Sequence, residues 1–564
     1  MGPMQRPGPE SFSMRSFLYF LKSVGLEYTG MRTLAAVCIA AALLAVFADG
    51  NGWAFHEGGV GACEGCHTMH NSIASGTTPF PANGSKDTSS NENAQNSENP
   101  GIGGVSGWTG TPVTGSSSTE SAEYLLRGSD PSSTCLNCHE ETGDQAIGSF
   151  VSTAPADMPN TSPSRPPIEL TPGGDFGWLK KSYSWSVSGS NYSDNGDLHG
   201  HNIAANDFNY SVGPDWNGKN APGGAYPASD LTCISCHDPH GTYRRNSDGS
   251  ITNSPGGAHI IGSGSYGSMP ASGQAVGVYR MLSGKGYLPL YLAGQTAYAF
   301  NFPSPAAVSP TVYNQSETGI DYQVRVAYGN DATNGGGMSD WCRNCHPDIH
   351  TTSGPANPDN YLLQPYSFPS THPSGTLTSG VPSPTQDQFG SYVYSGSSYA
   401  LNYDQYIMSG DYNTGYTSSS PSYSSLVPFE EDTVNYQTLS SHANNNGSYL
   451  DGPSDSDFIS CMSCHRAHAS GWDYALRYKY NGLSDGNNGF SEVMTNDNGG
   501  ISQWPGIDIY SSDPNNLAYA MGRTQYETQK AYYDRLASMF APNQKVLCNK
   551  CHIGSVSGPR QSGY

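Results

Sequence analysis

Twelve cysteines of this chain fall into six pairs of one spacing, each followed at once by a histidine. They are Cys63-Glu-Gly-Cys66-His67, Cys135-Leu-Asn-Cys138-His139, Cys233-Ile-Ser-Cys236-His237, Cys342-Arg-Asn-Cys345-His346, Cys461-Met-Ser-Cys464-His465 and Cys548-Asn-Lys-Cys551-His552. C-x-x-C-H is the attachment signature of c-type haem. Two thiols one short turn apart add to the two vinyl groups of one porphyrin, and the next imidazole reaches the iron from the same side. Zinc knuckles also use paired C-x-x-C, and disulfides suit an exported chain, yet neither needs a histidine after every second cysteine. The chain has 16 His in 564 residues. Six such placements by chance have odds on the order of 10⁻⁹, which favours covalent haem over both rivals.

Six haems also answer a question that the composition raises. Only 13% of residues are charged, while Gly (68) and Pro (39) are abundant and break regular elements wherever they fall. Leu and Ile are sparse, so an aliphatic core is thin for this length. Flat, mostly apolar cofactors fill that interior, with about 85 residues wrapping each haem of the exported chain. The expected fold class is a multihaem c-type cytochrome: mostly coil and turns, a few short helices and minimal sheet, wrapped around a six-haem stack. The net charge of -22 speaks against nucleic acid as a partner and fits poorly with docking on anionic lipid.

Met31-Arg32-Thr33 leads into an apolar run from Leu34 to Ala48 that closes at Gly52-Trp53-Ala54. This is the pattern of a secretory signal, and the run is short against the roughly 20 residues of a membrane span. A retained anchor is the alternative. The expected division is an N-terminal extension and signal over residues 1–54, with Met31 as the start and cleavage after Ala54. One hexahaem domain follows over 55–564. Cys38 leaves with the signal. Residues 82–120, rich in Ser, Asn, Thr and Gly, read as a flexible insertion.

Each iron has a second axial position. Two histidines saturate it for electron transfer, whereas an open position binds or activates ligands. His70, His240 and His468 each lie three residues past a motif histidine, after motifs one, three and five. His56, His201 and His442 each precede one of those motifs. The chain thus reads as three two-haem modules, and these six are the candidate distal ligands. A histidine so close to a proximal ligand is better placed for a neighbouring haem than for its own. His350 and His372 are reserves. His199 and His259 sit in Gly/Asn/Ser-rich stretches and read as surface residues. Methionine is the other axial ligand of c-type haem; Met69, Met269 and Met462 remain open. Elsewhere, a Ser117-x-x-Glu120 capping box opens a short helix ending before Gly128. Tyr526, Tyr533, Leu536 and Phe540 have the period of an amphipathic helix before the last motif.

FHEGGVGACEGCHTMHNS, TPGGDFGW, CHDPHGTYRR, WCRNCHPDIH, PFEE, CHRAHASG and LCNKCH, in that order, resemble the extracellular hexahaem cytochromes of metal-reducing bacteria. The resemblance covers nearly all of the chain from Phe55 onward and departs from the family around 76–120 and from His372 to Ser425. It implies protomers polymerised into filaments with a continuous stack of bis-histidine haems along the axis. It also implies that His70 ligates the fifth haem of the adjacent protomer. The modules agree: if each such histidine serves the odd-numbered haem two places back, His240 serves the first and His468 the third, and His70 has none within its own chain.

The function expected is a secreted electron conduit, an electron carrier and not an enzyme. It would take electrons from partner cytochromes and deliver them to extracellular acceptors. A soluble periplasmic shuttle is the first alternative. The second is a multihaem reductase with an open iron, often signalled by an atypical motif such as C-x-x-C-K, which is absent here.

Overall fold

The computed structural model describes Cys66 and His67, residues 126–140, most of 167–347, 385–386, 392–393, 397–404, most of 422–479, 495–496, 502–503, 521–535, Leu547, Lys550 and Cys551. The signal segment, the 82–120 insertion and the Ser117–Glu120 box lie outside these residues. So do His56, Cys63, His70, His350, His372, Cys548 and His552.

The described helices are short. They are α1 (Pro131–His139), α2 (Met338–Cys342), α3 (Ser397–Asp404), α4 (Tyr436–His442), α5 (Cys461–Cys464) and α6 (Gln525–Ala531). Three of them carry haem motifs. Asp130 caps α1 by accepting the Ser133 N–H at 2.7 Å, and Pro131 opens it, a start whose dihedral is already helical. Thr524 and Glu527 form a reciprocal capping box on α6. That helix is shorter than its apolar period suggests. It ends at Ala531 because Tyr533 and Asp534 take left-handed φ of 59° and 56°. Tyr526 is exposed, whereas Tyr533 is buried and donates its hydroxyl to the Thr171 carbonyl at 2.8 Å. The two tyrosines therefore do not share one helical face, and Leu536 and Phe540 lie outside the described residues.

The sheet is more organised than the expected minimum. A hairpin joins β1 (Tyr183–Val187) to β2 (Ser190–Asp194) through Gly189 at φ +84°. One four-stranded sheet has the order β4-β3-β6-β5, formed by Ile251–Thr252, Arg244–Asn246, Gln274–Gly277 and His259–Ile260. The other has the order β12-β11-β8-β7, formed by Phe458–Ile459, Phe429–Asp432, Ala327–Asn330 and Ala307–Val308. In chain order β9 (Thr385–Gln386) and β10 (Tyr392–Val393) form a separate antiparallel pair. In the second four-stranded sheet β11 runs parallel to β8, with Glu430 opposite Tyr328 and Glu431 opposite Gly329. The sheet delivers the chain to α2 and α5, and so to motifs four and five.

Buried arginines take over much of the work of ladders in the coil between. Arg245, Arg466, Arg477 and Arg523 are all but inaccessible, and arginine is seldom buried unless paired. Arg466 donates to the Thr171 and Pro172 carbonyls, both at 3.3 Å, and lies 3.5 Å over the Tyr533 ring. Arg477 donates to the carbonyls of His465 at 3.1 Å and Ser425 at 3.0 Å. Irregular backbone leaves carbonyls that must be satisfied when buried, and one guanidinium can satisfy several at once. Aromatic residues, among them Phe176, Trp178, Tyr210, Tyr403, Trp472 and Tyr532, supply most of the apolar bulk. Among the described residues no helix is long and apolar enough to cross a membrane.

Candidate haem-binding site

One backbone clasp holds three motifs. Motif histidines His67, His237 and His465 pair antiparallel with Leu126, Leu282 and Leu476 respectively. The residue after each leucine then donates its N–H to the carbonyl of the second cysteine. Arg127 bonds Cys66 at 2.8 Å, Ser283 bonds Cys236 at 2.9 Å and Arg477 bonds Cys464 at 2.7 Å. Two of the clasps contain a pair of consecutive left-handed residues, Arg280-Met281 and Tyr474-Ala475. Such strain persists only where its surroundings enforce it. Here the first residue of each pair turns its carbonyl to the motif imidazole: Arg280 O lies 2.7 Å from His237 Nδ1 and Tyr474 O lies 2.8 Å from His465 Nδ1. These are motifs one, three and five, the odd members of the proposed modules.

The even motifs dock on the next odd one. The N–H of Cys233 donates to the Ser132 hydroxyl and that of Cys461 to the Ser339 hydroxyl, both at 3.1 Å. Ser132 and Ser339 each stand three residues before the first cysteine of an even motif. The thiols of Cys135 and Cys233 become hydrogen-bonded neighbours, as do those of Cys342 and Cys461. That bond, with burial, pushes Cys135 and Cys342 well above the usual thiol range, and burial takes Cys236 up to about 12. Glu430 lies under the second junction, accepting from Ser339 N and Oγ, Ser460 Oγ and Asn330 Nδ2 at 2.6–2.9 Å. Burial raises its carboxyl to about 7, against the pull of these donors.

Three pairs of histidine rings face each other across similar gaps. His67 and His240 have centroids 6.3 Å apart and planes 12° from parallel. His237 and His468 are 6.3 Å apart with planes 62° apart, and His346 and His201 are 6.1 Å apart with planes 38° apart. Two imidazoles on opposite sides of one metal ion, each bonded at about 2 Å, bring their centroids to about 6 Å. Each pair joins one motif histidine to one candidate distal ligand. His346 Nδ1 lies 2.7 Å from Pro222 O and His201 Nδ1 lies 2.6 Å from Ala467 O. Tethering Nδ1 in this way fixes the tautomer and turns Nε2 toward a metal. Burial lowers the pKa of His201, His237 and His465, takes His346 down to about 4 and His468 to about 3. In these five the shift favours the neutral ring, which has a lone pair to offer. The donor set and its spacing fit haem.

The candidate distal ligands of the third and fourth haems, His468 and His201, share one anchor. Segment 467–469 runs between Gly174 and Gly200, both bridged to Ala469. His468 N–H donates to Gly173 O at 2.8 Å and His201 N–H donates to His468 O at 2.9 Å. His139 ends α1 within electrostatic reach of His237. His442 ends α4 stacked on Tyr449 at 3.9 Å, with Nδ1 on the Glu431 carboxylate at 2.5 Å. Met462 packs in the apolar cluster of Tyr279, Leu282, Val326 and Met338; Met69 and Met269 lie outside the described residues.

One expectation is overturned. His199 is no surface residue but fully buried, with Nδ1 3.1 Å from Trp178 O and Nε2 2.7 Å from Asp194. Burial pushes the Asp194 carboxyl up, but His199 and Arg523 together hold it below the usual range. Arg523 reaches Asp194 at 2.6 Å. Asp194, His199 and Asp473 form the one cluster of three possible metal ligands among the described residues, and it contains no cysteine. The Arg523 guanidinium already supplies its positive charge, which makes it an ion network rather than a cation site. His259 takes part in β5 through its backbone, opposite Gln274.

No protein-family model matches the chain. It is 40% identical over 530 residues to the c-type cytochrome OmcS of Geobacter sulfurreducens, covering 93% of this chain and 99% of that protein. The cryo-EM structure of OmcS nanowires from that organism superposes with a TM-score of 0.62 at 39% identity, over 88% of this chain and 99% of the other. The outer membrane cytochrome S filament of the same organism gives 0.61 at 38% identity, over the same shares. With its haem-attachment motifs, facing imidazoles and near full-length identity, the chain belongs to the family of the c-type cytochrome OmcS.

Proposed function

We propose that the chain is a secreted electron-transfer cytochrome whose copies polymerise into an extracellular filament conducting electrons to acceptors outside the cell. One observation carries this reading: three motif histidines each face a second histidine across the width of a metal ion, in a relative of a nanowire protein. Twelve cysteines would hold six haems. His67 with His240, His237 with His468 and His346 with His201 would be the axial pairs of the first, third and fourth. In the second module the leading histidine faces the last motif. By the same rule His56 serves His139 and His442 serves His552. His465 then takes His70 of a neighbouring copy.

Bound haem supplies reversible one-electron chemistry at a saturated iron. The protein's share would be to aim the imidazoles through Nδ1. A reductase would need an open iron, and the facing pairs argue against one. Intact mass of the exported protein tests the assignment: it should equal the chain from Phe55 onward plus six haem masses. The reduced protein should not react with carbon monoxide. A smaller excess, or rapid stoichiometric carbon monoxide binding, would contradict it. Monomers alone in the secreted fraction would favour the shuttle.

A further inference from the structure

We infer that Glu431 sets the redox potential of the haem held by His442, lowering it below that of haems whose ligands rest on neutral acceptors. The inference rests on the reading of His442 as an axial ligand. Four other candidate ligands, His201, His237, His346 and His465, place Nδ1 on a backbone carbonyl at 2.6–2.8 Å. His442 instead meets a carboxylate, 2.5 Å from Glu431 Oε2.

The contact is built, not incidental. Glu431 lies on β11, its backbone opposite Gly329 of β8, and its side chain is only 8% exposed. Its other oxygen, Oε1, accepts from Arg325 at 2.9 Å. Arg325 is held in turn by the Asp451 carbonyl at 2.7 Å and stands over the rings of Tyr423, Phe429 and Tyr449 at 4.7–5.0 Å. Tyr449 also stacks on His442, 11° from parallel. Both the carboxylate and the ring are thus fixed from two sides.

A charged acceptor on Nδ1–H forms a stronger, shorter bond than a carbonyl does. It shifts electron density toward Nε2 and makes the imidazole a better donor. A better donor stabilises the oxidised iron over the reduced one, so the potential falls. Arg325 binds the far oxygen and anchors the carboxylate without standing between it and the ring.

Glu431→Gln keeps an acceptor for Nδ1–H and removes the charge. Spectroelectrochemical titration of the six-haem protein should show one haem component moved to higher potential, the others in place, and every haem still low-spin. Asp457→Asn is the control. Asp457 lies within electrostatic reach of Glu431 and bonds the Ser454 and Asp432 amides. It should move that component less. No shift in Glu431→Gln, or an equal shift in both variants, overturns the inference. If Glu431→Gln fails to assemble, Glu431→Asp withdraws the carboxylate by one methylene and should raise the same component; an unmoved potential overturns the inference there too. His442→Ala separates the two claims. One haem turning high-spin supports the ligand assignment independently of any potential, so a null Glu431→Gln result then sinks the tuning alone. All haems remaining low-spin would remove the ligand, and the inference with it.

Discussion

A histidine can ligate iron only when its ring is neutral and correctly aimed. Burial supplies the first condition by lowering the pKa of His346 to about 4 and of His468 to about 3 from an ordinary 6.5. These rings bind protons less readily folded than unfolded. Their contribution to stability is therefore complete above pH 6.5 and lost as pH falls from there towards 4. The optical spectrum should stay low-spin at pH 5 in an acid titration. Loss of ligation by pH 6 would contradict the burial argument. His468→Ala should leave haem attachment intact but turn one haem of the chain high-spin by EPR and reactive to carbon monoxide. The same result should follow for His240→Ala. The proposed haem-attachment residues can be read from sequence because the chemistry is local: five consecutive positions make up each motif. His199 was not legible. Its Gly and Asn neighbours suggest surface, while its buried network depends on Arg523, which is 329 residues from Asp194 in sequence.

At the scale of elements, function depends on crossings between segments far apart in sequence. Gly200 lies against His468, where an added Cβ would overlap the carbonyl oxygen of that residue. Gly200→Ala should displace His201 and His468 together, destabilise by about 1–3 kcal/mol and raise high-spin signal from two haems rather than one. Ser339→Ala deprives both Glu430 and the Cys461 amide of a buried partner. It should cost about 1–3 kcal/mol in thermal unfolding while the haem count stays unchanged. The helices that carry motifs were expected to be short, and Pro and Gly make them so. The two four-stranded sheets were less legible because their strands run only two to four residues and some pair across long separations, as β11 does with β8. The clasp did leave a trace in Glu123-Tyr124-Leu125-Leu126-Arg127 and Asp473-Tyr474-Ala475-Leu476-Arg477. The third copy has Met281-Leu282-Ser283 in place of the shared ending, which hides the repeat in the sequence.

For the whole molecule the modules leave one vacancy. His240 and His468 lie opposite His67 and His237, motif histidines two places back, so by the proposed rule His70 would have no site in its own chain and the fifth haem would lack a ligand. His70→Ala should be secreted with six attached haems per chain, one of them open, and should form no stable filaments. Normal filaments from this variant would leave His350 or His372 as the better ligand. Buried arginines, aromatic rings and backbone clasps would organise the protein around the proposed haems, and so supply a core to a chain with few aliphatic residues. The measurement that tests this most directly is a cryo-EM map of the secreted fraction. The account predicts a filament with six haems per repeat. His67 and His240, His237 and His468, and His346 and His201 would lie on opposite faces of three of them, with a ligand to the fifth crossing from the adjacent protomer. Dispersed monomers, or any of these three irons lacking its second histidine, would contradict it.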